Sequence, residues 1–341
     1  MEHPTVRAVA NTPLRVGIIG IGFGQAAHLP AFRAVPGCTV AAIAASSPDR
    51  ARAVAARHAV PTWHGNWREL VERGDIDIVS LAVPPALQTE IGIAAARGGK
   101  HLFCEKPLAP TVEAAAALVE AARSAGVRHA VDFEFPELPQ WREAGRMVRS
   151  GELGAVRELR IAWSTRAGAH RRPRSRWKEE DELGGGVLGG FVSHALHYAT
   201  WLVGTLEVVE SRLTRSTDVI TACNAILTGQ AGTFVSIAID NATTHEPLHS
   251  VEVTGTKGSL SLLNEAIDHG GPFALRVGDQ TREVPSDGEI AADRRAPAVA
   301  RIARRFVEAI RTGAPMCPDL RDGQESVRLL DAIRVAARRR S

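Results

Sequence analysis

Two stretches of the sequence place side chains that can move a proton among apolar neighbours. A lysine, Lys106, ends the run HLFCEK, and a histidine, His194, lies in the helix-like run GFVSHALHYATWLVG. Hydride loss from a carbinol carbon requires the hydroxyl proton to leave, so a group that titrates near neutral pH is useful there. His194 can be that group, and the ammonium of Lys106 can stabilise the developing alkoxide charge. We therefore predict that these two residues are catalytic.

A second histidine lies one helical turn beyond the first. His197 follows His194 by three residues, so the two lie on adjacent parts of one helical face. Such a pair can bind a metal ion, but the sequence offers no third partner and no HExxH pattern, and we predict no metal site. His197 is then either a second hydrogen-bond donor to a substrate or a packed core residue.

A glycine-rich turn near the start of the chain can hold a pyrophosphate. The segment VGIIGIGFGQAAHLPAF places Gly20, Gly22 and Gly24 between a predicted strand and a predicted helix. Gly20 permits a sharp turn, and Gly22 lets a phosphate approach amide hydrogens at the positive end of the helix. Phe23 completes the loop, and Gln25 stands where the GxGxxG pattern expects its third glycine. We predict that these five residues bind a dinucleotide; the alternative is an ordinary glycine turn.

The residues after the second predicted strand bear on the choice between NAD and NADP. An acidic residue roughly 20 positions beyond the glycines would bind the ribose hydroxyl of NAD. The segment AASSPDR offers Ser46, Ser47 and Arg50 instead, a set better matched to the 2'-phosphate of NADP, although Asp49 lies close. The sequence therefore gives a weak preference for NADP, since Arg50 is also typical of a solvated helix surface.

The first part of the chain supplies elements that can bring these residues together. Short apolar strands alternate with alanine-rich helices over residues 14–133, which is typical of a doubly wound α/β fold with a parallel sheet. Open sheets of this kind bind ligands outside the carboxyl ends of their strands. Pro84, in LAVPP, and Glu105, next to Lys106, follow such strands. We predict that all three residues contact the cofactor.

The pattern changes after residue 133. Strand-like runs separated by short turns, among them VITACNAILT and GTFVSIAID, indicate an α+β domain with a large open, mainly antiparallel sheet. We predict a flexible tail over residues 1–13, a dinucleotide-binding Rossmann domain over 14–133, and a substrate-binding and oligomerisation domain over 134–341. The last predicted helix is expected to pack back on the first domain.

An arginine-rich loop precedes the helix that carries His194. Arg176 lies in this loop and can clamp a carboxylate or phosphate, whereas such runs are more often a solvated surface. Trp163 and Trp177 flank the loop and can pack against a ring-shaped substrate. Trp163 lies in a predicted strand, however, and a tryptophan there is at least as typical of the hydrophobic core. We count these three residues and His197 as candidate substrate-binding residues.

Composition argues against several classes of function. The 341 residues are 45% hydrophobic and 23% charged, with a formal net charge of +3, which is ordinary for a globular chain. Aromatic residues make up only 5%, so no base-stacking platform indicates nucleic acid binding. No run approaches the roughly 18 apolar residues of a membrane span, and the four cysteines show no pairing pattern. We expect a cytoplasmic enzyme of small molecules, with no nucleic acid and no membrane partner.

The motifs together resemble those of the Gfo/Idh/MocA family of nicotinamide-dependent oxidoreductases. VGIIGIGFGQAAHLP, LAVPP, HLFCEKPLAPT and DFEFPELPQW carry the resemblance, which runs from Leu14 to about Ala337. It implies that Lys106 of the EKP motif contacts the reacting hydroxyl or carbonyl and that Pro107 is a cis proline. It also implies hydride exchange between NAD(P) and a carbinol, carbonyl or imine carbon of a small, cyclic polyol or sugar-like substrate. Members commonly pair through the C-terminal sheet, so we expect a homodimer or homotetramer.

Three positions depart from the family pattern. After the GGG segment the family helix typically carries an aspartate and, four residues on, a histidine; here the positions hold Gly190 and His194. A family histidine is replaced by Gln88, and a family arginine by Pro136. These losses of polar groups keep two other hypotheses open. One is a lyase or hydrolase that retains its nucleotide without net redox, and the other is a nucleotide-binding sensor without turnover.

Overall fold

The computed structural model describes residues 12–166, 184–216, 219–266, 271–285 and 291–339. The chain forms two compact units, one of residues 1–134 and 290–324, the other of residues 135–289 and 325–341. The first division lies next to the predicted boundary after residue 133. The units differ from the predicted domains in that residues 290–324 belong with the first unit rather than the second.

The described helices alternate with strands in the first unit and flank a sheet in the second. In chain order they are α1 Leu29–Arg33, α2 Pro48–Arg57, α3 Trp67–Val71, α4 Pro85–Arg97, α5 Val112–Ala125, α6 Pro139–Arg149, α7 Ser193–Val203, α8 Ala296–Thr312 and α9 Leu320–Arg338. A π-helical turn precedes α1 at Gly24–His28, and another precedes α7 at Leu188–Val192. Among the described helices, none combines the length and the apolar character needed to cross a membrane.

The first unit is built on a parallel six-stranded sheet. Its strands are β1 Leu14–Ile19, β2 Cys38–Ala44, β3 Thr62–His64, β4 Ile78–Leu81, β5 His101–Cys104 and β6 His129–Val131. They lie in the order β3-β2-β1-β4-β5-β6, and each neighbouring pair is parallel. This confirms the predicted doubly wound sheet. The strand order changes direction between β1 and β4, which is where such sheets bind ligands.

Apolar side chains from both segments of the first unit form its core. β4 is buried along its whole length, as expected for a strand covered on both faces. Phe103 of β5 packs edge-on against Phe32 of α1, with ring centroids 5.1 Å apart, and its ring also lies 5.9 Å from that of Phe306 in α8. Because α8 buries its apolar side in this cluster, residues 290–324 fold with the first unit.

The second unit contains an eight-stranded sheet. Its strands are β7 Val156–Ser164, β8 Leu206–Ser216, β9 Val219–Gly229, β10 Phe234–Asp240, β11 Leu248–Gly255, β12 Ser259–Asn264, β13 Ala274–Val277 and β14 Gln280–Arg282. The order is β14-β13-β12-β11-β7-β10-β9-β8. β7 and β10 pair in parallel and the other pairs are antiparallel, which confirms the predicted mainly antiparallel sheet.

An aromatic cluster joins this sheet to the helix that carries the predicted histidines. Phe135 lies at its centre, with its ring 5.4 Å from that of Trp163 in β7 and 5.8 Å from that of Tyr198 in α7. The Tyr198 hydroxyl hydrogen-bonds with Nε2 of His249 in β11 at 3.0 Å. Tyr198 is fully buried, so this bond satisfies a polar group that would otherwise be costly to bury. The cluster fixes α7 on one face of the sheet.

Candidate active site

The glycine-rich turn lies at the carboxyl end of β1, as predicted. Gly20 has a φ of +100°, and a Cβ there would overlap the carbonyl oxygen of Ala82, the residue after β4. A Cβ on Gly24 would lie 3.1 Å from Ile18 Cγ2 and 3.3 Å from Ala82 Cβ. Gly24 therefore allows the close approach of helix and sheet that the third glycine of the usual pattern provides. The shifted spacing leaves this packing role intact.

Gly22 differs from its two neighbours because its free side faces open space. A Cβ there would meet no described atom within 4 Å, and the residue is exposed. The π-helical turn begins two residues later, at Gly24, and backbone amides at the start of a helix attract anions. The turn thus fits a dinucleotide pyrophosphate. Gln25 lies in the same turn, and its buried Oε1 has no hydrogen-bond partner among the described residues.

The ring of Phe23, in this turn, is in contact with a positively charged side chain. The guanidinium of Arg295, in the segment before α8, lies 4.4 Å from the ring centroid, which is a cation–π distance. Arg295 also pairs with Asp293 at 2.7 Å. The sequence analysis did not identify Arg295, because it lies far along the chain and no local motif marks it.

The three residues that favoured NADP follow β2 and begin α2. Ser46 and Arg50 are exposed, and the Ser47 hydroxyl accepts a long hydrogen bond from the Arg50 amide at 3.4 Å as the cap of the helix. Asp49 pairs with Arg52 at 2.9 Å on the exposed surface of that helix. Pro84 directly precedes α4, at the end of the neighbouring strand β4.

The EKP segment follows β5 and is held by a side chain of α4. Gln88 is fully buried; its Oε1 accepts a hydrogen bond from the Glu105 amide at 2.9 Å, and its Nε2 donates to the Glu105 carbonyl at 2.6 Å and to the Leu108 carbonyl at 3.0 Å. The peptide bond between Lys106 and Pro107 is cis, in agreement with the family resemblance. Gln88 was interpreted from the sequence as a lost polar group of the site. The structure shows instead that it anchors the segment that carries Lys106.

Lys106 is surrounded by charged groups of its own unit. Burial lowers the pKa of Lys106 below the usual lysine range, and the carboxylates of Glu134 and Glu105 partly oppose this shift. Burial in turn raises the pKa of Glu134, while Lys106 opposes that rise. A lysine with a lowered pKa can exchange a proton as well as stabilise negative charge.

A buried cluster beneath this segment was missed by the sequence analysis. His28, in the π-helical turn, places Nδ1 2.7 Å from the Ser80 hydroxyl of β4 and Nε2 2.9 Å from Oε1 of Glu105. Nε2 also lies 3.4 Å from Oδ2 of Asp132, the residue after β6. Burial disfavours the charged form of His28, but the two carboxyl groups outweigh it and raise the pKa of His28 to about 9. Burial raises the pKa of Asp132 to about 8.

His28, Glu105 and Asp132 also form a group that could hold a metal ion. One ligand atom from each lies within 4.8 Å of the other two. The sequence predicts no metal site, and the candidate pair it offers, His194 and His197, is a different one. The segment HLPAF, which contains His28, shows no metal-ligand spacing, so the sequence does not predict the three-residue group.

The predicted histidines of the second unit are both largely buried in α7. The His194 side chain packs edge-on against Phe135, with ring centroids 5.1 Å apart. Burial lowers the pKa of His197 to about 3, so this residue is neutral at physiological pH. A Cβ on Gly190 would meet no described atom within 4 Å, so the position where the family has an aspartate faces open space. Pro136 is buried in the short turn Phe135–Glu137.

The remaining candidates for substrate binding divide into buried and undescribed residues. Trp163 is buried in β7 and stacks on His249, with ring centroids 4.1 Å apart and planes 3° from parallel. This position favours the core interpretation that the sequence left open. Arg176 and Trp177 lie outside the described residues.

Three comparisons with known proteins bear on this site. Residues 14–133 match the oxidoreductase family GFO/IDH/MocA with its NAD-binding Rossmann fold, and residues 141–261 match the GFO/IDH/MocA C-terminal domain. An uncharacterized oxidoreductase of Rhizobium meliloti, ORF334, is 30% identical over 96% of this chain and 97% of its own length.

Two solved structures are similar along nearly the whole chain. Levoglucosan dehydrogenase in complex with NADH and L-sorbose superposes with a TM-score of 0.85 and 25% identity, covering 97% of this chain and 98% of that one. A 3-ketoreductase from Actinomadura kijaniata, in complex with NADP and TDP-benzene, gives a TM-score of 0.80 and 26% identity over 95% and 98%.

The contrast between Gly20 and Gly22 gives a test of the phosphate-binding turn. We expect Gly22→Ala to leave the free energy of unfolding within about 0.5 kcal/mol of the wild type, because the new methyl group enters open space. The same methyl group should raise the Kd for NADH and NADPH about tenfold or more, because it blocks the approach of the pyrophosphate.

Gly20→Ala is the matched control for this prediction. Its positive φ and the overlap with Ala82 should destabilise the fold by about 1–3 kcal/mol. Urea denaturation and fluorescence titration with the nucleotides measure both properties. Unchanged nucleotide affinity in Gly22→Ala would contradict binding at this turn.

Proposed function

Because the chain belongs to the Gfo/Idh/MocA family of NAD(P)-dependent oxidoreductases, we propose that it oxidises or reduces a small sugar-like molecule. The reaction is hydride exchange between NAD(P) and a carbinol, carbonyl or imine carbon of a cyclic polyol or sugar. The observation that carries the proposal is the anchored EKP segment at the carboxyl edge of the parallel sheet, next to the glycine-rich turn. The sugar ligand of levoglucosan dehydrogenase and the ketoreductase activity of the second relative support this substrate class.

Lys106 is proposed to stabilise the oxygen of the reacting carbon and to exchange a proton with it. Bound NAD(P) supplies or accepts the hydride at the nicotinamide ring. During reduction the carbonyl oxygen gains negative charge, and the ammonium of Lys106 offsets that charge and then donates its proton. Burial favours this transfer because it lowers the pKa of Lys106. In the oxidative direction the neutral amine accepts the hydroxyl proton.

His194 is proposed to share this role, as the donor or acceptor of the single proton when Lys106 acts only as the charge stabiliser. The two ring nitrogens of an imidazole can donate or accept a proton. The open space at Gly190, one helical turn before it, leaves room for a substrate group that an aspartate would otherwise occupy. This is compatible with activity in the absence of the family aspartate. We also propose His197 as a neutral hydrogen-bonding neighbour, and Trp163, Arg176 and Trp177 as further substrate contacts.

The cofactor is proposed to be NADP in preference to NAD. Ser46, Ser47 and Arg50 lie after β2, where such folds bind the adenosine ribose, and Asp49 is engaged by Arg52. The solved relatives divide between NADH and NADP, so the family itself permits either. Gly20, Gly22, Phe23, Gly24, Gln25, Pro84 and Glu105 are the other proposed cofactor contacts.

A reductase assay separates this function from its rivals. The protein is incubated with NADPH or NADH and a panel of keto-sugars, and in reverse with NADP or NAD and cyclic polyols, while nucleotide absorbance and product mass are followed. We expect one nucleotide to be consumed for each product molecule, and the reaction to be faster with NADPH or NADP than with NADH or NAD. Product formation without nucleotide consumption would indicate a lyase or hydrolase. Tight nucleotide binding without any product would indicate a sensor.

Replacing the proposed catalytic residues tests their roles. Lys106→Ala should lower kcat more than about tenfold and leave the Kd of the nucleotide nearly unchanged, because only the proton and charge partner is removed. His194→Gln should lower kcat similarly. In the wild type the rate of reduction should fall as the pH rises through the pKa of Lys106, below the usual lysine range. The control is Lys257→Ala, which removes a lysine from an exposed turn. Turnover of Lys106→Ala within twofold of the wild type would exclude the proposed role of Lys106.

We propose that the chain forms a homodimer or homotetramer through the eight-stranded sheet. One side of the central strands is buried, while Ile226 of β9 and Phe234 of β10 remain exposed on the other side. Burying exposed apolar side chains against another subunit is favourable. Light scattering should give two or four times the chain mass, and Phe234→Glu should weaken the association. A monomer over the micromolar concentration range would contradict this proposal.

A further inference from the structure

One buried histidine that the proposed reaction does not use connects three strand ends of the first unit. His28 is the last residue of the π-helical turn that follows the glycines, and its ring contacts Ser80 in β4, Glu105 after β5 and Asp132 after β6. The side chains of His28 and Asp132 are fully buried, and that of Glu105 is 14% exposed. A single imidazole therefore connects the glycine-rich turn to Glu105, the residue before Lys106 at the edge of the sheet.

Aromatic rings shield this contact from water. The rings of Phe23 and Phe103 stand edge-on to that of His28, with centroids 5.4 Å and 5.2 Å away. An ion pair or charged hydrogen bond is stronger in such surroundings than at the surface, and an unpaired carboxylate is far more costly. The pairing of His28 with Glu105 is thus a strong constraint on both side chains.

The neighbouring charges indicate that His28 donates from both ring nitrogens. Nε2 faces two carboxyl groups, and Nδ1 faces a serine hydroxyl that can accept a hydrogen bond. The raised pKa of His28 agrees with an imidazolium in this place. The other charged groups that act on Glu105 and Asp132 are Lys106 and Glu134.

The same carboxylate reaches the backbone of the catalytic candidate. Oε1 of Glu105 accepts from His28, while Oε2 accepts a hydrogen bond from the Lys106 amide at 3.1 Å. Gln88 holds the amide and carbonyl of Glu105 but does not contact its carboxylate in these bonds. The backbone of Glu105 is therefore held by Gln88 and by the Leu81 carbonyl, and its carboxylate is held by His28. These contacts together determine the position of Lys106, the next residue.

A metal ion at this cluster is the competing interpretation, and the distance between His28 and Glu105 disfavours it, whereas the 3.4 Å between Nε2 of His28 and Oδ2 of Asp132 fits either interpretation. Ligand atoms bound to one tetrahedral zinc ion stand about 3.3 Å apart, given zinc-to-ligand bonds of about 2.0–2.1 Å. Nε2 of His28 and Oε1 of Glu105 are 2.9 Å apart, which is an ordinary distance for a charge-assisted hydrogen bond.

We propose that His28 is a positioning residue that fixes the Glu105 carboxylate on the Lys106 amide and so aligns Lys106 with the nucleotide bound at the preceding turn. This inference rests on the proposed function. It adds a residue that touches neither substrate nor cofactor but determines how precisely the ammonium is placed for proton transfer.

The test compares two substitutions of His28 in the full-length protein. His28→Leu removes both donors, whereas the amide of His28→Gln can still donate to Glu105. We expect kcat in His28→Leu to fall ten- to a hundredfold with the Kd of NADPH and NADH changed less than about threefold, and His28→Gln to recover most of kcat. In the double variant His28→Leu/Glu105→Gln, kcat should be at most about threefold lower than in His28→Leu alone, because both substitutions break the same contact.

His101→Gln is the matched control for a merely structural effect. His101 is a partly buried histidine at the opposite end of β5, where Nδ1 accepts a hydrogen bond from the Arg128 amide. Its replacement should lower stability without lowering kcat. Equal losses of kcat in His101→Gln and His28→Leu, or turnover of His28→Leu within twofold of the wild type, would overturn the positioning role while leaving the proposed function in place.

A spectroscopic measurement keeps the proposal testable if His28→Leu does not fold. Nitrogen NMR of histidine-labelled wild-type protein should show His28 with both ring nitrogens protonated at neutral pH, and Glu105→Gln should lower its pKa. A wild-type His28 whose Nε2 carries no proton, and so cannot donate to Glu105, would overturn the proposal. So would a stoichiometric metal ion in the purified protein that is lost in His28→Leu. Absence of hydride transfer by the wild type would remove the proposed function, and this inference with it.

Discussion

The placement of Lys106 depends on how the neighbouring Glu105 is held. The Glu105 amide is bound by the Leu81 carbonyl and by Gln88, its carbonyl is bound by Gln88, and its carboxylate is bound by His28 and by the next amide in the chain. These contacts come from β4, from α4 and from the turn after β1, so three separate connections must fold correctly before the segment is fixed. A site built this way keeps its geometry because its supports belong to regular elements of the first unit.

The two glycine-rich segments of the chain share a local feature. In each, a π-helical turn opens the helix, at Gly24–His28 before α1 and at Leu188–Val192 before α7. Such turns are rare and occur frequently at functional sites, because the widened turn redirects the side chains that follow it. In the first unit the widened turn ends at His28. In the second, His194 lies two residues beyond the end of the turn, so both turns lead into a buried histidine.

Local sequence patterns were sufficient to predict the two sheets. Continuous apolar strands predicted the parallel sheet, and strand-like runs separated by short turns predicted the antiparallel one. The turn at Gly20 and the segment around Lys106 were located because each follows a strand. The roles of Gln88 and His28 could not be predicted, since their partner Glu105 lies 17 and 77 residues away and only the tertiary fold brings it near. For the same reason, the sequence did not predict the contact of Arg295 with Phe23 or the packing of α8 in the first unit, because in both cases the partners are far apart in the chain. The spacing of the glycines looked like a departure, yet Gly24 fulfils the packing role from its shifted position.

The most direct test is a crystal structure of the protein with NADP and a non-reactive analogue of a cyclic sugar. Our account predicts that the pyrophosphate lies on the turn around Gly22. It also predicts that the Lys106 ammonium stands about 2.6–3.2 Å from the reacting oxygen and that the nicotinamide C4 stands about 3–3.5 Å from the reacting carbon. A nucleotide bound away from this turn, or a Lys106 side chain directed away from the analogue, would contradict it.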